Sequence, residues 1–293
     1  MHTCRVCSQN YEEAMDTYAG TDYYFPENKT IHKALCCPNC GSWSIAHIPE
    51  DLEKYYPKDY YSYAYNGAVD PVVDMRAKNI IKDIKITEKA CVLDWGAGSQ
   101  QLIQALWNNG IGENEEYTKL VAYDPYAAPT IVNHLRLTNL LPTNLSFDAI
   151  VSSHSLEHET RPYEDVLKEM LSLLKKGGAI WIEVPISDSF GHMLFREKSV
   201  TADLPRHITV PSRAGLKYAA DKVGLTISHL KNIAYGQHLI VDELLKSGKK
   251  RSDAEEAALQ LPPAQATMYN YAAEWIKRVG MSDVVSFVLR RKS

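Results

Sequence analysis

The sequence predicts an α/β protein: an open, largely parallel sheet with helices on both faces, preceded by a small metal-binding module. Three observations predict it. From about residue 76 onward, short apolar runs alternate with amphipathic stretches of helical period. A glycine-rich turn joins the first such run to the stretch after it. Ahead of all this stand two Cys-x-x-Cys pairs.

The bulk numbers agree with a globular enzyme. The chain has 293 residues, 45% hydrophobic and 23% charged, enough for one substantial core and an accessory module. No apolar run reaches the roughly 18 residues a membrane span needs. Met1-His2-Thr3-Cys4 lacks the apolar stretch of a secretory signal, which leads us to expect a cytoplasmic protein. The net charge of −4, with no basic stripe, argues against nucleic acid as a partner. The cluster Lys249-Lys250-Arg251, with Lys246 a turn earlier, reads as a solvated helix end.

Five of the six cysteines fall within the first 40 residues. Cys4-x-x-Cys7 and Cys37-Pro-Asn-Cys40-Gly41 place two thiolates on each of two tight turns, the layout of a tetrahedral Cys4 zinc site. Gly41 suits the second turn because it can take a positive φ. With four protein ligands such a metal is structural, and residues 1–48 are too few to fold without it. Cys36 is the spare thiol, a bystander or a substitute for Cys37. A connector, 49–75, carries Tyr55, Tyr56, Tyr60, Tyr61, Tyr63 and Tyr65. These rings either glue the module to the next domain or line a site with their phenols.

The remaining elements follow in order over a domain spanning 76–293. A helix is expected at 75–86, with Ile80, Ile81 and Ile84 on one face, then a buried strand at 91–94. Trp95-Gly96-Ala97-Gly98-Ser99 forms the turn, and the helix 100–109 follows, closed by Gly110. The order Asp94-x-Gly96-x-Gly98 puts an acid before the glycines, and Gln101 occupies the third glycine position of a dinucleotide loop. That pattern suits a ligand with an amino group rather than a pyrophosphate. Strands are expected at 119–124, ending in Asp124, and at 147–154, ending in Ser152-Ser153-His154. A helix at 161–174 leads through Lys175-Lys176-Gly177-Gly178 to a strand at 179–185. A helix at 212–223 and two more strands, at 225–233 and 284–290, complete the pattern. Between the last two lies a helical insertion, 234–283, with helices around 239–245 and 264–279, which shapes an acceptor pocket or an oligomer interface.

Taken as a set, the Asp-x-Gly-x-Gly loop, Asp124, the Phe147-Asp148-Ala149-Ile150-Val151 strand with Leu156-Glu157-His158 behind it, and the Lys-Lys-Gly-Gly turn resemble the class I methyltransferases. The resemblance covers roughly 75–233. It implies a Rossmann-like seven-stranded fold and an S-adenosylmethionine site. Asp94, Gly96 and Gly98 would hold the amino-acid end of that cofactor and Asp124 its ribose. Pro125, Ser152 and Ser153 would sit close by, with Thr138 and Asn139 flanking the adenine. The paired Cys-x-x-Cys and the tyrosine-rich connector narrow the likeness to bacterial methyltransferases of nucleotide-linked deoxysugars.

Methyl transfer needs an acceptor held in line and relieved of its proton. His207 lies in a loop where the sugar methyltransferases carry a Glu-His pair; here Arg206 replaces the Glu, and it would be free to hold a substrate phosphate or carboxylate. His154 ends a strand on the ligand-binding edge of the sheet. Tyr63 is the candidate phenol. His154-x-x-Glu157-His158 can also be read as one face of a turn supplying metal ligands. The function expected is methyl transfer to a small polar acceptor, a nucleotide-linked sugar or carbohydrate precursor. Two alternatives are an RNA base methyltransferase with a zinc ribbon and a non-catalytic scaffold built on the same fold.

Overall fold

The computed structural model describes residues 1–56, 68–112, 119–126, 130–132 and 135–292. The N-terminal segment forms a short hairpin, β1 (His2–Thr3) with β2 (Asn10–Tyr11), and then β3 (Asp16–Gly20), β4 (His32–Cys36) and β5 (Trp43–Ile45). Then come α1 (Pro71–Ile84), β6 (Val92–Trp95), α2 (Gln101–Asn108), β7 (Leu120–Tyr123), β8 (Thr130–Val132), β9 (Leu135–Thr138) and β10 (Phe147–Ser153). The second half contains α3 (Tyr163–Leu173), β11 (Leu174–Pro185), α4 (Phe190–Phe195), β12 (Thr209–Val210), α5 (Arg213–Lys222) and β13 (Leu225–Ile233). It ends with α6 (Gly236–Lys246), α7 (Arg251–Leu259), α8 (Pro263–Arg278) and β14 (Val284–Arg291).

The central sheet runs β13-β14-β11-β10-β6-β7-β9-β8. β9, β7, β6, β10 and β11 are parallel, β14 enters antiparallel between β11 and β13, and β8 folds back on β9. Seven of these strands match the expected sheet, and β8 adds an eighth at its edge. Sequence periodicity places six of the seven. It misses β9, whose Leu135-Arg136-Leu137-Thr138 lacks the continuous apolar run that marks β6 and β7, strands of the same length.

Side chains alternate across the sheet as the pleat requires. Val92, Leu120 and Val151 face α1 and α2, where Ala77, Ile80, Ile103 and Leu106 complete one core layer. Leu93, Val121 and Ile150 face the other way, onto Val166, Leu167 and Met170 of α3 and Leu216 and Ala219 of α5. Helix α1 begins cleanly because Asp70 caps it, accepting from the Val72 N–H, with Pro71 at the first helical position. Helix α5 is capped by Ser212, whose Oγ accepts from the Gly215 N–H at 2.9 Å.

The cysteine segment is wired into this core. Cys4, Val6, Cys7 and Cys37 pack in the same apolar layer as α3 and α5. Its sheet is completed by β12 from the far half of the chain, in the order β12-β5-β4-β3. The Tyr163 N–H at the start of α3 donates to the Arg5 carbonyl at 2.8 Å.

The insertion before β14 holds three helices rather than two. The extra one, α7, begins at Arg251, so the basic cluster is not simply a solvated helix end. Arg251 is 8% exposed and bonds Glu255 at 2.6 Å, with Tyr24 beneath its guanidinium. Among the described residues no helix is long and apolar enough to cross a membrane.

Candidate active site

The parallel strands change direction of travel between β6 and β10, the point where open α/β sheets leave a crevice at the strand ends. A cavity of about 630 Å³ opens there. One end is lined by Asp94, Gly96, Gly98, Asp124, Pro125 and Ser153, the other by His154, Glu157, His158, Asp203, His207 and Arg251.

At the first end the geometry is built for close approach. Gly96 and Gly98 both take positive φ, +74° and +44°. A Cβ at Gly96 would lie 1.8 Å from Ser155 Oγ, so only glycine lets the loop pass. Asp124 is 6% exposed and its carboxylate is fixed by two backbone donors, Gly98 N–H and Tyr126 N–H, each at 3.0 Å. Asp94 is 2% exposed, and its Oδ2 accepts no hydrogen bond among the described residues. Burial, with Asp124 nearby, raises its carboxyl to about 7, against the pull of Arg76. An orphaned acid oxygen beside bare backbone is what a ligand ammonium would satisfy.

Ser152 does not reach the cavity. It is fully buried, because alternation along β10 turns it into the sheet while Ser153 faces the crevice. Thr138 is also turned away, its hydroxyl bonded to the Leu140 carbonyl at 2.9 Å, and neither it nor Asn139 lines the cavity.

The second end is a network of charge. His154 has a positive φ of 50°, a conformation uncommon for a residue with a side chain. Its Nδ1 stands 3.3 Å from Glu157 Oε1 and its Nε2 3.2 Å from Glu183 Oε1. Burial opposes its charge, but the two carboxylates outweigh burial and hold the imidazole up at about 9. Arg76 in α1 donates to Glu183 at 2.7 Å. His158 is lowered to about 4 by burial and by His207. Its Nδ1 lies 2.9 Å from both the Arg206 carbonyl and the Tyr56 hydroxyl. His207 stacks edge-on against His158 with ring centres 4.8 Å apart.

Arg206 is not available to a substrate. It is fully buried, forked between Asp203 and Asp22, with Nη2 2.8 Å and 2.7 Å from their carboxylates. A guanidinium this deep needs carboxylate partners, and the N-terminal segment supplies one of them. The pair sets the loop that presents His207, whose N–H donates to the Asp203 carbonyl at 2.9 Å.

Of the tyrosines, Tyr55 is buried against His32 and Tyr56 lines the cavity, while Tyr63, with Tyr60, Tyr61 and Tyr65, lies outside the described residues. Among the charged residues that escape the sequence reading are Arg76 and Glu183. Each leaves a trace, a cation one turn before Ile80 on the buried stripe of α1 and an acid inside the apolar run Ile180–Val184. The insertion contributes His238 from α6 and Arg251 from α7 to the cavity wall.

The four cysteines predicted as ligands converge as well. Their sulfurs all lie within 4.8 Å of one another, with Cys4–Cys40 at 3.7 Å and Cys7–Cys37 at 3.8 Å. Tetrahedral ligation at about 2.3 Å per Zn–S bond requires sulfurs about 3.8 Å apart, so the donor set fits zinc. Val6 N–H and Cys7 N–H both point at Cys4 Sγ, at 3.4 Å and 3.5 Å. Cys36 points elsewhere, into an apolar cluster with Tyr18 and Trp43.

Comparison with known proteins adds the family. A family model described as a methyltransferase domain matches residues 73–230, more than half of the chain. Similar solved structures include coclaurine N-methyltransferase bound to N-methylheliamine and SAH, at 14% identity, covering 78% of this chain and 74% of that one, TM-score 0.46. A cyclopropane synthase from Mycobacterium tuberculosis is 16% identical over 73% and 82% of the two chains, TM-score 0.48. A putative sarcosine dimethylglycine methyltransferase from Galdieria sulphuraria is 16% identical over 83% and 99%, TM-score 0.48. No curated protein matches by sequence. The family match rests on the stretch that carries the glycine turn, both strand-end acids and the β10 histidine, and by it the chain belongs to the methyltransferase-domain family and is an enzyme of methyl transfer.

Proposed function

We propose that the protein transfers a methyl group from S-adenosylmethionine to a small polar acceptor, a nucleotide-linked sugar or related carbohydrate precursor. The observation that carries this reading is the division of one cavity into two ends of different chemistry. The Asp94–Gly96–Gly98–Asp124 end offers an unpartnered acid and bare backbone, which suits the ammonium and ribose of the cofactor. The other end is walled by imidazoles, carboxylates and Arg251, which suits a hydroxyl-rich or charged acceptor and not an apolar one.

When bound, the cofactor supplies a methyl group to the acceptor in a single in-line displacement. The chain's own residues then hold and activate the acceptor. His207 donates its Nδ1–H to the Thr201 carbonyl at 2.8 Å, which leaves its Nε2 lone pair toward the acceptor end. We assign acceptor activation to His207, and to His154, bridged between two acids, the orientation of the wall behind it. Tyr63 is kept as a third candidate on sequence grounds. The four cysteines hold a structural zinc that braces α3 and α5. We take 1–48, 49–75 and 76–293 as module, connector and catalytic domain, with β12 borrowed across the first boundary.

The test is release of S-adenosylhomocysteine when the protein is incubated with S-adenosylmethionine and a panel of nucleotide-linked sugars. Turnover on one of them supports the acceptor class. Cofactor binding without turnover on any member would overturn the sugar reading, and absence of cofactor binding would overturn the whole.

A further inference from the structure

Glu157 is fully buried; His154 Nδ1 stands 3.3 Å from its Oε1, and neither carboxylate oxygen has a well-formed hydrogen bond among the described residues. Leaving a buried carboxylate in that condition is costly unless a cation completes it. His158 and His207 stand beside it, and one ligand atom from each of the three lies within 4.8 Å of the other two. Both imidazoles are oriented as metal ligands commonly are. Each gives its Nδ1–H to a backbone carbonyl, His158 to Arg206 and His207 to Thr201, and so turns a bare Nε2 the other way. His207 Nε2 lies 3.9 Å from Glu157 Oε1.

The local charge asks for a further cation. Four buried carboxylates, Asp22, Glu157, Glu183 and Asp203, share three cationic groups, Arg76, His154 and Arg206. Arg251 also acts on Asp203 but bonds a fifth carboxylate, Glu255, at 2.6 Å, so the deficit of one cation remains. His154 cannot serve as a ligand in the same set, because its two nitrogens face Glu157 and Glu183.

We propose that Glu157, His158 and His207 hold a divalent transition cation in the wall of the cavity, a second metal site distinct from the four cysteines. Two imidazoles and one carboxylate on one side of an ion suit Mn2+, Fe2+ or Co2+ and leave positions open toward the cavity. Ligand bonds of about 2.1 Å require the three atoms to draw in by about an ångström. Resting on the function proposed above, the open positions take oxygens of the acceptor, and the ion on His207 Nε2 would lower the acceptor's pKa in place of direct proton removal by that nitrogen.

The experiment is a titration of the zinc-loaded protein with Mn2+ alone, followed by loss of the free-ion electron paramagnetic resonance signal. Mn2+ is a poor competitor for four thiolates, so the cysteine site does not confuse the count. One Mn2+ bound per chain is expected, weakened about tenfold or more by Glu157→Gln and by His207→Ala, and retained in His154→Ala. Zinc content reports that each variant is folded, and Glu157→Gln keeps the side-chain shape. Failure of the wild-type protein to take up Mn2+ and Co2+ overturns the proposal, as does unchanged affinity in both ligand variants. The titration contains no S-adenosylmethionine, so its failure leaves the methyl-transfer reading standing, and loss of cofactor binding leaves the metal count standing.

Discussion

Ser155 occupies the space that a side chain at Gly96 would need: a Cβ there would sit 1.8 Å from Ser155 Oγ. The glycine turn is therefore closed from behind by the segment leaving β10, and the cofactor end of the cavity has a fixed wall. Gly96→Ala is expected to weaken S-adenosylmethionine binding by about tenfold or more, because it adds this clash to a backbone φ of +74° that alanine resists. Calorimetric titration reads the loss. Adding Ser155→Gly should recover part of the affinity, and no recovery would mean that the backbone conformation alone sets the requirement.

Binding of the cofactor should depend on pH through Asp94. Its carboxyl is raised to about 7 by burial and by Asp124, so below that pH it is protonated and gives no charge to an ammonium. Affinity should fall as pH drops through 7, by up to about tenfold per unit, and level off above it. The empty protein shows the opposite trend for this group: the stability it lends is present in acid and lost as pH rises through about 7. Asp94→Asn should bind weakly with a flat profile; an unchanged profile would detach Asp94 from the cofactor.

Removing Arg206 should cost stability more than chemistry. Arg206→Ala leaves Asp22 and Asp203 buried without their cation, and a loss of about 3–5 kcal/mol is expected. Urea unfolding measures it. A cost under about 1 kcal/mol would show that the loop holding His207 does not depend on this pair.

The cysteines should separate into two classes. Cys37→Ser is expected to release zinc and lower the melting temperature, since Cys37 packs in the same layer as α3 and α5. Cys36→Ser should keep one zinc per chain, because its sulfur lies in a different cluster. Elemental analysis of the two variants decides between them.

Much of this protein is legible in its sequence because the signals are local. The Asp94-x-Gly96-x-Gly98 turn, the caps at Asp70 and Ser212, and the apolar runs of β6, β10 and β11 each depend on residues a few positions apart. So does the pairing of thiols within Cys4-x-x-Cys7 and Cys37-x-x-Cys40. Backbone sterics and side-chain period fix these without reference to the rest of the chain. Tertiary structure alone decides what requires chain segments to meet. Nothing in the sequence pairs Arg206 with Asp22, and only the fold brings that acid from the N-terminal segment to it. β12 carries no strand signal in two residues until β5 offers it an edge. Glu157 and His158 reach His207 only because the Ile208 N–H donates to the Glu157 carbonyl at 2.8 Å and folds that loop over the cavity. Buried charge is settled by whatever partner the fold delivers, and no spacing in the sequence records which partner that is.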